Sequence, residues 1–270
     1  MAATRRGYIF GAFVSSVLCV ILIIVAISSD SWVECATYNQ NDIDSKTSDT
    51  RYGLFGGQFS LYLLNTPSYS TLHMTCIPEI NVCAVSCKTE ALAREQEVRA
   101  LAEGYRPNIG CVSVTTVNTN DPLSEPPVIS FGVYLALVII IFIQLLAAVA
   151  TAILAIINAM TNPTEPIFGL PGCLWSNVVT AVLGIVVMLL FGVYWETSGL
   201  KEHLAFSFIA LGDDKQSSSL GFSYWLLIVS ILCSVANVAL IELRRYLLER
   251  DPPPPTIKVE NHSDGTIFLY

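Results

Sequence analysis

Four long runs without a single Asp, Glu, Lys, Arg or His constrain this chain more than any other feature. They are Tyr8 to Ile27, Val128 to Ile157, Gly172 to Trp195 and Leu220 to Ile241. A helix needs about 20 apolar residues to cross a hydrocarbon core roughly 30 Å thick, and a backbone in that core must satisfy its own hydrogen bonds. Each run is therefore predicted to be a transmembrane helix. A mean hydropathy of +0.58 agrees, as does a charged content of 13%, about half that of ordinary soluble domains. Ala26-Ile27-Ser28 resembles a signal cleavage site, but the run before it is longer than a usual signal core, so a retained span is expected.

Arginine sorts the linkers. Arg5 and Arg6 precede the first run, and Arg244, Arg245 and Arg250 follow the fourth. The linker before the fourth run instead sets Lys201 and Lys215 against Glu196, Glu202, Asp213 and Asp214. The positive-inside rule then places both termini in the cytosol. The predicted layout is a cytosolic N-terminus (1–7), first span (8–27), outer loop (28–127), second span (128–157) and cytosolic turn (158–171). A third span (172–195), second outer loop (196–219), fourth span (220–241) and cytosolic tail (242–270) follow. The first outer loop holds twelve acids against six bases, in keeping with an outer face. The sequon Asn261-His262-Ser263 falls in the predicted cytosolic tail, where it would stay unmodified, and Asn81-Val82-Cys83 is only the weak cysteine variant.

Small residues recur every four positions within the spans: Gly7, Gly11, Ser15 and Cys19; Ala147, Thr151, Ala155 and Ala159; Gly172, Ser176, Thr180 and Gly184. That spacing lines one helix face and lets backbones approach closely, within the bundle or against another chain. The intramembrane amides Gln144, Asn177 and Asn237 are expected to join helices. A proton-coupled pump, a voltage sensor or most transporters would need ionisable groups in the spans.

The stretch RYGLFGGQFSLYLL, residues 51–64, is too short to cross a membrane. Phe59, Leu61 and Leu63 alternate with Ser60, Tyr62 and Leu64 at strand periodicity. Trp32 to Tyr38 and Cys111 to Thr119 also read as strands, and Gly56-Gly57 as a turn or bulge. The fold class predicted is a four-transmembrane-helix bundle carrying a small extracellular antiparallel β-sheet, formed by the first outer loop and packed on the outward ends of the spans. The first turns of the long second span would form a wall for it. Thr89 to Glu103 reads as a surface helix with a thin apolar side (Ala91, Val98, Leu101, Ala102) and the favourable pairs Glu90–Arg94 and Glu95–Arg99. Cys35, Cys76, Cys83, Cys87 and Cys111 are disulfide candidates; five thiols leave one over, and two bridges can be drawn fifteen ways. A zinc site is the lesser reading, because exported loops favour disulfides.

In the first outer loop, Trp32, then Gly53-Leu54-Phe55, then Cys76 and a later Cys follow the order of the claudin-like tetraspan superfamily. Tyr52-Gly53-Leu54-Phe55, Pro163-Thr164-Glu165 before Gly169-Leu170-Pro171-Gly172, Phe222-Ser223-Tyr224-Trp225 and the final Leu269-Tyr270 resemble the clarin family more closely. Clarins are four-span proteins of sensory hair cells, and this chain resembles a divergent, invertebrate member. The resemblance covers all four spans, while the first outer loop here is longer and richer in cysteine. It implies a plasma-membrane protein that organises membrane, cytoskeleton-linked or vesicle-traffic partners, with no catalytic activity.

Metal and nucleotide motifs are missing: His73, His203 and His262 form no ligand pattern, and neither a P-loop nor a nucleophile elbow occurs. No enzyme activity, cofactor, metal or nucleic-acid partner is expected. Expected partners are the bilayer and membrane or junction proteins, including a second copy of the chain. Pro252, Pro253, Pro254 and Pro255 favour a polyproline II segment for SH3 or WW domains, or a rigid spacer. Phe268-Leu269-Tyr270 is an apolar terminus of the kind PDZ domains bind, or a frayed end. Rival readings are a claudin-type junction protein with a paracellular barrier role and an auxiliary subunit of an ion channel.

Overall fold

The computed structural model describes residues 2–38, 46–63, 66–107, 111, 117–122, 126–160, 167–198 and 215–250. In chain order the elements are α1 (Ala2–Ser28), β1 (Val33–Tyr38), β2 (Lys46–Tyr52), β3 (Gly56–Leu63), β4 (Thr66–Ile77) and a 3-10 turn at Pro78–Ile80. Next come β5 (Val82–Ser86), α2 (Ala91–Ala102), β6 (Tyr105–Pro107), β7 (Val117–Pro122) and β8 (Ile129–Ser130). The chain continues with α3 (Phe131–Met160), α4 (Leu170–Thr197), β9 (Lys215–Leu220) and α5 (Phe222–Arg250).

Four helices, α1, α3, α4 and α5, are long and apolar enough to cross a membrane. The chain is thus an integral multi-pass membrane protein by its architecture. The helices form a closed ring in which α1 packs on α5, α5 on α4, α4 on α3 and α3 back on α1. Their outward faces carry Val14, Ile21, Ile139, Leu189 and Leu232, as lipid solvation requires. Pro171 sits in the first turn of α4, where its missing N–H is no loss.

Several boundaries differ from those expected. Helix α3 begins at Phe131 rather than Val128, because Ile129 and Ser130 are spent pairing with Cys83 and Val82 of β5. At the other end α5 runs through Arg250, past the predicted limit at Ile241, and its predicted first residue, Leu220, belongs to β9. Charged side chains can continue a helix beyond hydrocarbon, so apolar length underestimates helix length.

One sheet of seven strands sits at one end of the bundle in the order β8-β5-β4-β3-β2-β1-β9, all antiparallel. The first loop supplies most of it, but not all. Edge strand β9 comes from the second loop and pairs with β1 from Val33↔Leu220 to Tyr38↔Lys215. The expected strand over 111–119 is displaced: Val117–Pro122 pairs with Tyr105–Pro107 in a separate two-stranded sheet, and residues 112–116 lie outside the described residues. Gly56 and Gly57 are neither turn nor bulge; they open β3 opposite His73 and Leu72. The turn lies one step earlier, closed by the Gly53 N–H on the Gly56 carbonyl at 2.7 Å, with Leu54 and Phe55 at its tip. Gly53 is required there, since a Cβ would strike the backbone carbonyl of Ser29.

Asn81 joins the sheet to the second long helix. Its backbone is left-handed (φ 56°), a conformation that asparagine tolerates better than most residues. From there its carbonyl accepts the Phe131 N–H at 3.1 Å and its side-chain oxygen accepts the Gly132 N–H at 3.0 Å. Its amide nitrogen donates to Ser130 Oγ at 3.1 Å. Asn81 thus caps α3 from outside the helix's own sequence. Asn81→Ala should destabilise the protein by about 1 kcal/mol, the usual cost of a lost N-cap, and raise amide exchange at Phe131 and Gly132.

Candidate functional site

The sheet and the bundle share one core. Chain geometry forces this: α1 ends at Ser28, and only four residues separate it from β1. Trp32 falls in that link, and its side chain drops into the mouth of the bundle, 1% exposed. The indole N–H donates to the Ala26 carbonyl at 2.6 Å. Its ring stands edge-on to Phe191 at 5.3 Å and to Tyr224 at 6.4 Å. The return link is as tight. Gly221 N–H donates to the Trp32 carbonyl, Ser223 N–H to the Ser31 carbonyl, and Ser223 Oγ to Ser29 Oγ at 2.7 Å.

The predicted loop motif gathers here. Tyr52, Gly53 and Leu54 are buried with Trp32, and the Leu54 carbonyl accepts the Tyr134 hydroxyl of α3 at 2.9 Å. Tyr194 of α4 accepts the Ser130 N–H at 3.0 Å. A narrow apolar crevice lies between these layers, lined by Trp32, Tyr52, Leu54, Met74, Tyr134 and Phe191 among others. Phe55 is the exception within the motif, half exposed and outside the crevice.

The cysteines resolve into two bridges, Cys76–Cys83 across β4 and β5 and Cys87–Cys111 over a separation of 24 residues. Cys35 stays outside both, buried in β1. Helix α2 docks on the sheet through Ala93, Val98, Ala100 and Leu101, and also through Glu97, which is 2% exposed. Ala91, expected on the apolar side, faces solvent, and Ala102 is half buried. Ser86 Oγ donates to the Glu97 carboxylate. Burial pushes the Glu97 carboxyl above the usual carboxylate range, while Ser86 and buried Lys88 draw it back. Of the two expected ion pairs, Glu95–Arg99 forms at 3.0 Å. Arg94 instead donates to the carbonyls of Lys88 and Thr89, anchoring the start of the helix.

Inside the bundle the small-residue seams face their neighbours. Ser15 Oγ donates to the Cys233 carbonyl of α5, and the Cys19 thiol lies 3.5 Å from both the Ser230 carbonyl and Ser234 Oγ. Thr151 Oγ1 and Ser176 Oγ meet at 2.7 Å between α3 and α4, and Ser176 also donates to the Ala147 carbonyl. Ala155 and Cys173 pack with Ile241, and Thr180 is buried. Two predicted seam residues do not join a neighbouring helix. A Cβ on Gly7 would meet nothing within 4 Å, and one on Gly172 would meet the carbonyl of Ile167 in its own preceding turn. Asn237 donates to Ser16 Oγ at 3.0 Å and to Asn177 Oδ1 at 3.1 Å, tying α5 to α1 and α4.

Gln144 behaves differently. It is wholly buried on α3, and neither of its amide atoms has a hydrogen-bond partner among the described residues. Gly184 makes room for it: a Cβ there would lie 2.7 Å from Gln144 Nε2 and 2.8 Å from Ile231 Cγ1. A buried unpaired amide costs about 1–3 kcal/mol, so Gln144→Met, similar in volume, should raise thermal stability in mild detergent by about that amount. A fall in stability would mean that the amide is satisfied.

Sequence reasoning missed the roles of Asn81, Tyr134, Tyr194 and Ser223 at this junction, although Asn81 and Ser223 lay in quoted motifs. The tyrosines carried a readable signal, since aromatic residues with polar tips collect at the ends of spans. Asn81 and Ser223 act through contacts that only the fold brings together. No group of three or more His, Cys, Asp or Glu side chains suited to a metal occurs among the described residues. The tail motifs Pro252 to Pro255, Phe268 and Tyr270 lie outside the described residues. No protein-family model matches the chain, and no curated protein matches it.

Proposed function

We propose that this chain is a non-enzymatic plasma-membrane tetraspan that organises membrane, cytoskeleton-linked or vesicle-traffic partners, as its resemblance to clarins implies. Both termini lie in the cytosol, and the sheet faces outward. The observation that carries the reading is the junction around Trp32. It makes the sheet and the four helices one body, and such a body can hold partners on both sides of a membrane in fixed register. The interior supports the same reading: Ile23, Ile141, Val187, Leu227 and Gln144 fill the bundle axis with fully buried side chains.

Purification of the full chain in mild detergent, with and without residues 251–270, tests it. Partners should co-purify with the full chain, and cytoskeleton-linked ones should be lost with the tail. Equal recovery without the tail removes the tail as the contact. Epitope tags at Met1 and Tyr270 should both stain only after permeabilisation; staining of intact cells at either end overturns the orientation. The acid excess of the first loop favours a second reading, a junction protein lining a cation-preferring paracellular path. Dilution potentials across an expressing monolayer separate the two, because only the second predicts a shift.

A further inference from the structure

Among the exposed apolar side chains of the sheet domain, Phe55 and Ile80 stand next to residues that bond the start of α3. Phe55 is 50% exposed and Ile80 is 40% exposed. Both are tied to one place. Leu54, beside Phe55, gives its carbonyl to Tyr134 in the first turn of α3. Asn81, beside Ile80, caps the same turn through Phe131 and Gly132. Both residues are therefore adjacent in sequence to groups that bond the first turn of α3, the helix whose exposed apolar residues include Leu135, Ile139 and Phe142. Their exposed neighbours are polar or paired: Gln58 lies beside the turn, and Glu79 is held by Arg99 at 3.0 Å.

We propose that Phe55 and Ile80 extend the lipid-facing surface of α3, inserting at the boundary between headgroups and acyl chains in the leaflet on the sheet side. The sheet then rests on phospholipid as well as on protein. Lipid is the occupant because the residues beside Phe55 and Ile80 bond the first turn of a helix long and apolar enough to cross a membrane. A separate protein partner would have to compete with lipid there. Apolar side chains on a membrane-adjacent surface bury about 5–10 Å deep at this boundary, and the paired Glu79–Arg99 charges suit the headgroup zone above it. The inference holds whichever side of the membrane the sheet occupies.

The test uses the full chain in phosphatidylcholine nanodiscs, which leave both faces open to solutes. Phe55→Trp and Ile80→Trp are made singly, with Tyr69→Trp, on an exposed part of β4, for comparison. The emission of the four native tryptophans is subtracted. Lipid carrying a doxyl quencher at carbon 5 should cut the added emission at 55 and 80 by roughly twofold or more, while aqueous iodide leaves it nearly unchanged. Tyr69→Trp should show the reverse. Quenching of positions 55 and 80 by iodide and not by doxyl lipid overturns the proposal. So does protection from both quenchers, which would mark a surface covered by protein, a second copy included. In the unsubstituted chain, a photoreactive phosphatidylcholine activated near its acyl carbonyls should label the peptides that contain Phe55 and Ile80. Labelling confined to the helices overturns the proposal as well.

Discussion

Trp32→Ala should destabilise the protein by about 3–5 kcal/mol, the range for removing a large aromatic side chain from a packed core. The loss has three parts. The indole leaves a cavity between Phe191 and Tyr224, whose rings it meets edge-on. The Ala26 carbonyl loses its donor near the end of α1. The link between α1 and β1 also loses the side chain that fixes its path. Trp32→Phe keeps most of the ring packing and gives up the hydrogen bond, so it should cost about 1–3 kcal/mol. Thermal unfolding in mild detergent measures both, and amide exchange in β1 and β2 should rise before exchange in the helices. If Trp32→Ala melted with the parent chain, the junction would not be what holds the sheet to the bundle.

The second large effect is expected at the bridge that closes the longer loop. On chain-entropy grounds a loop of this size contributes about 3.5 kcal/mol, against about 2.5 kcal/mol for the short Cys76–Cys83 loop. The separations are 24 and 7 residues. Structure widens the gap. Cys76 and Cys83 face each other in a ladder that already pairs β4 with β5. Cys87–Cys111 ties the end of β5 across α2 and β6, where a docked helix and a three-residue strand hold the chain among the described residues. Cys87→Ser with Cys111→Ser should therefore lower the unfolding temperature more than Cys76→Ser with Cys83→Ser. Limited proteolysis should then cut first between Glu103 and Pro122. Equal losses from the two pairs would mean that the insert is held mainly by the burial of α2.

The parts of this fold that could be read in advance are those where one physical term dominates. Lipid leaves an apolar segment no choice but helix, so the four spans could be placed to within a few residues at the ends next to the sheet. Strands β1 and β3 could be read because Val33, Cys35 and Phe59 alternate with polar or smaller residues across a half-buried face. Strands β2 and β9 could not. KTSDTRY and KQSSSL carry almost no apolar alternation, and backbone pairing to neighbours distant in sequence holds them in place. The junction was half legible. Trp32, Tyr52, Gly53 and Leu54 stood out as a motif, but their partners Ala26, Tyr134, Phe191 and Tyr224 lie on four different helices. No local pattern assigns such contacts. Gln144 and Asn237 looked alike as span amides, yet one is bonded to two helices and the other to none among the described residues.

The ring order of the helices bears on how the protein is made. The first span and the last are neighbours, and so are the first strand and the last. A ribosome delivers these pieces far apart in time, because most of the described chain lies between them. Until Phe222 has emerged, β1 has a bare flank and Trp32 lacks the Tyr224 ring beside it. A chain cut short before its final helix thus keeps an unfinished core in the membrane, which is the kind of surface that quality-control machinery recognises and removes.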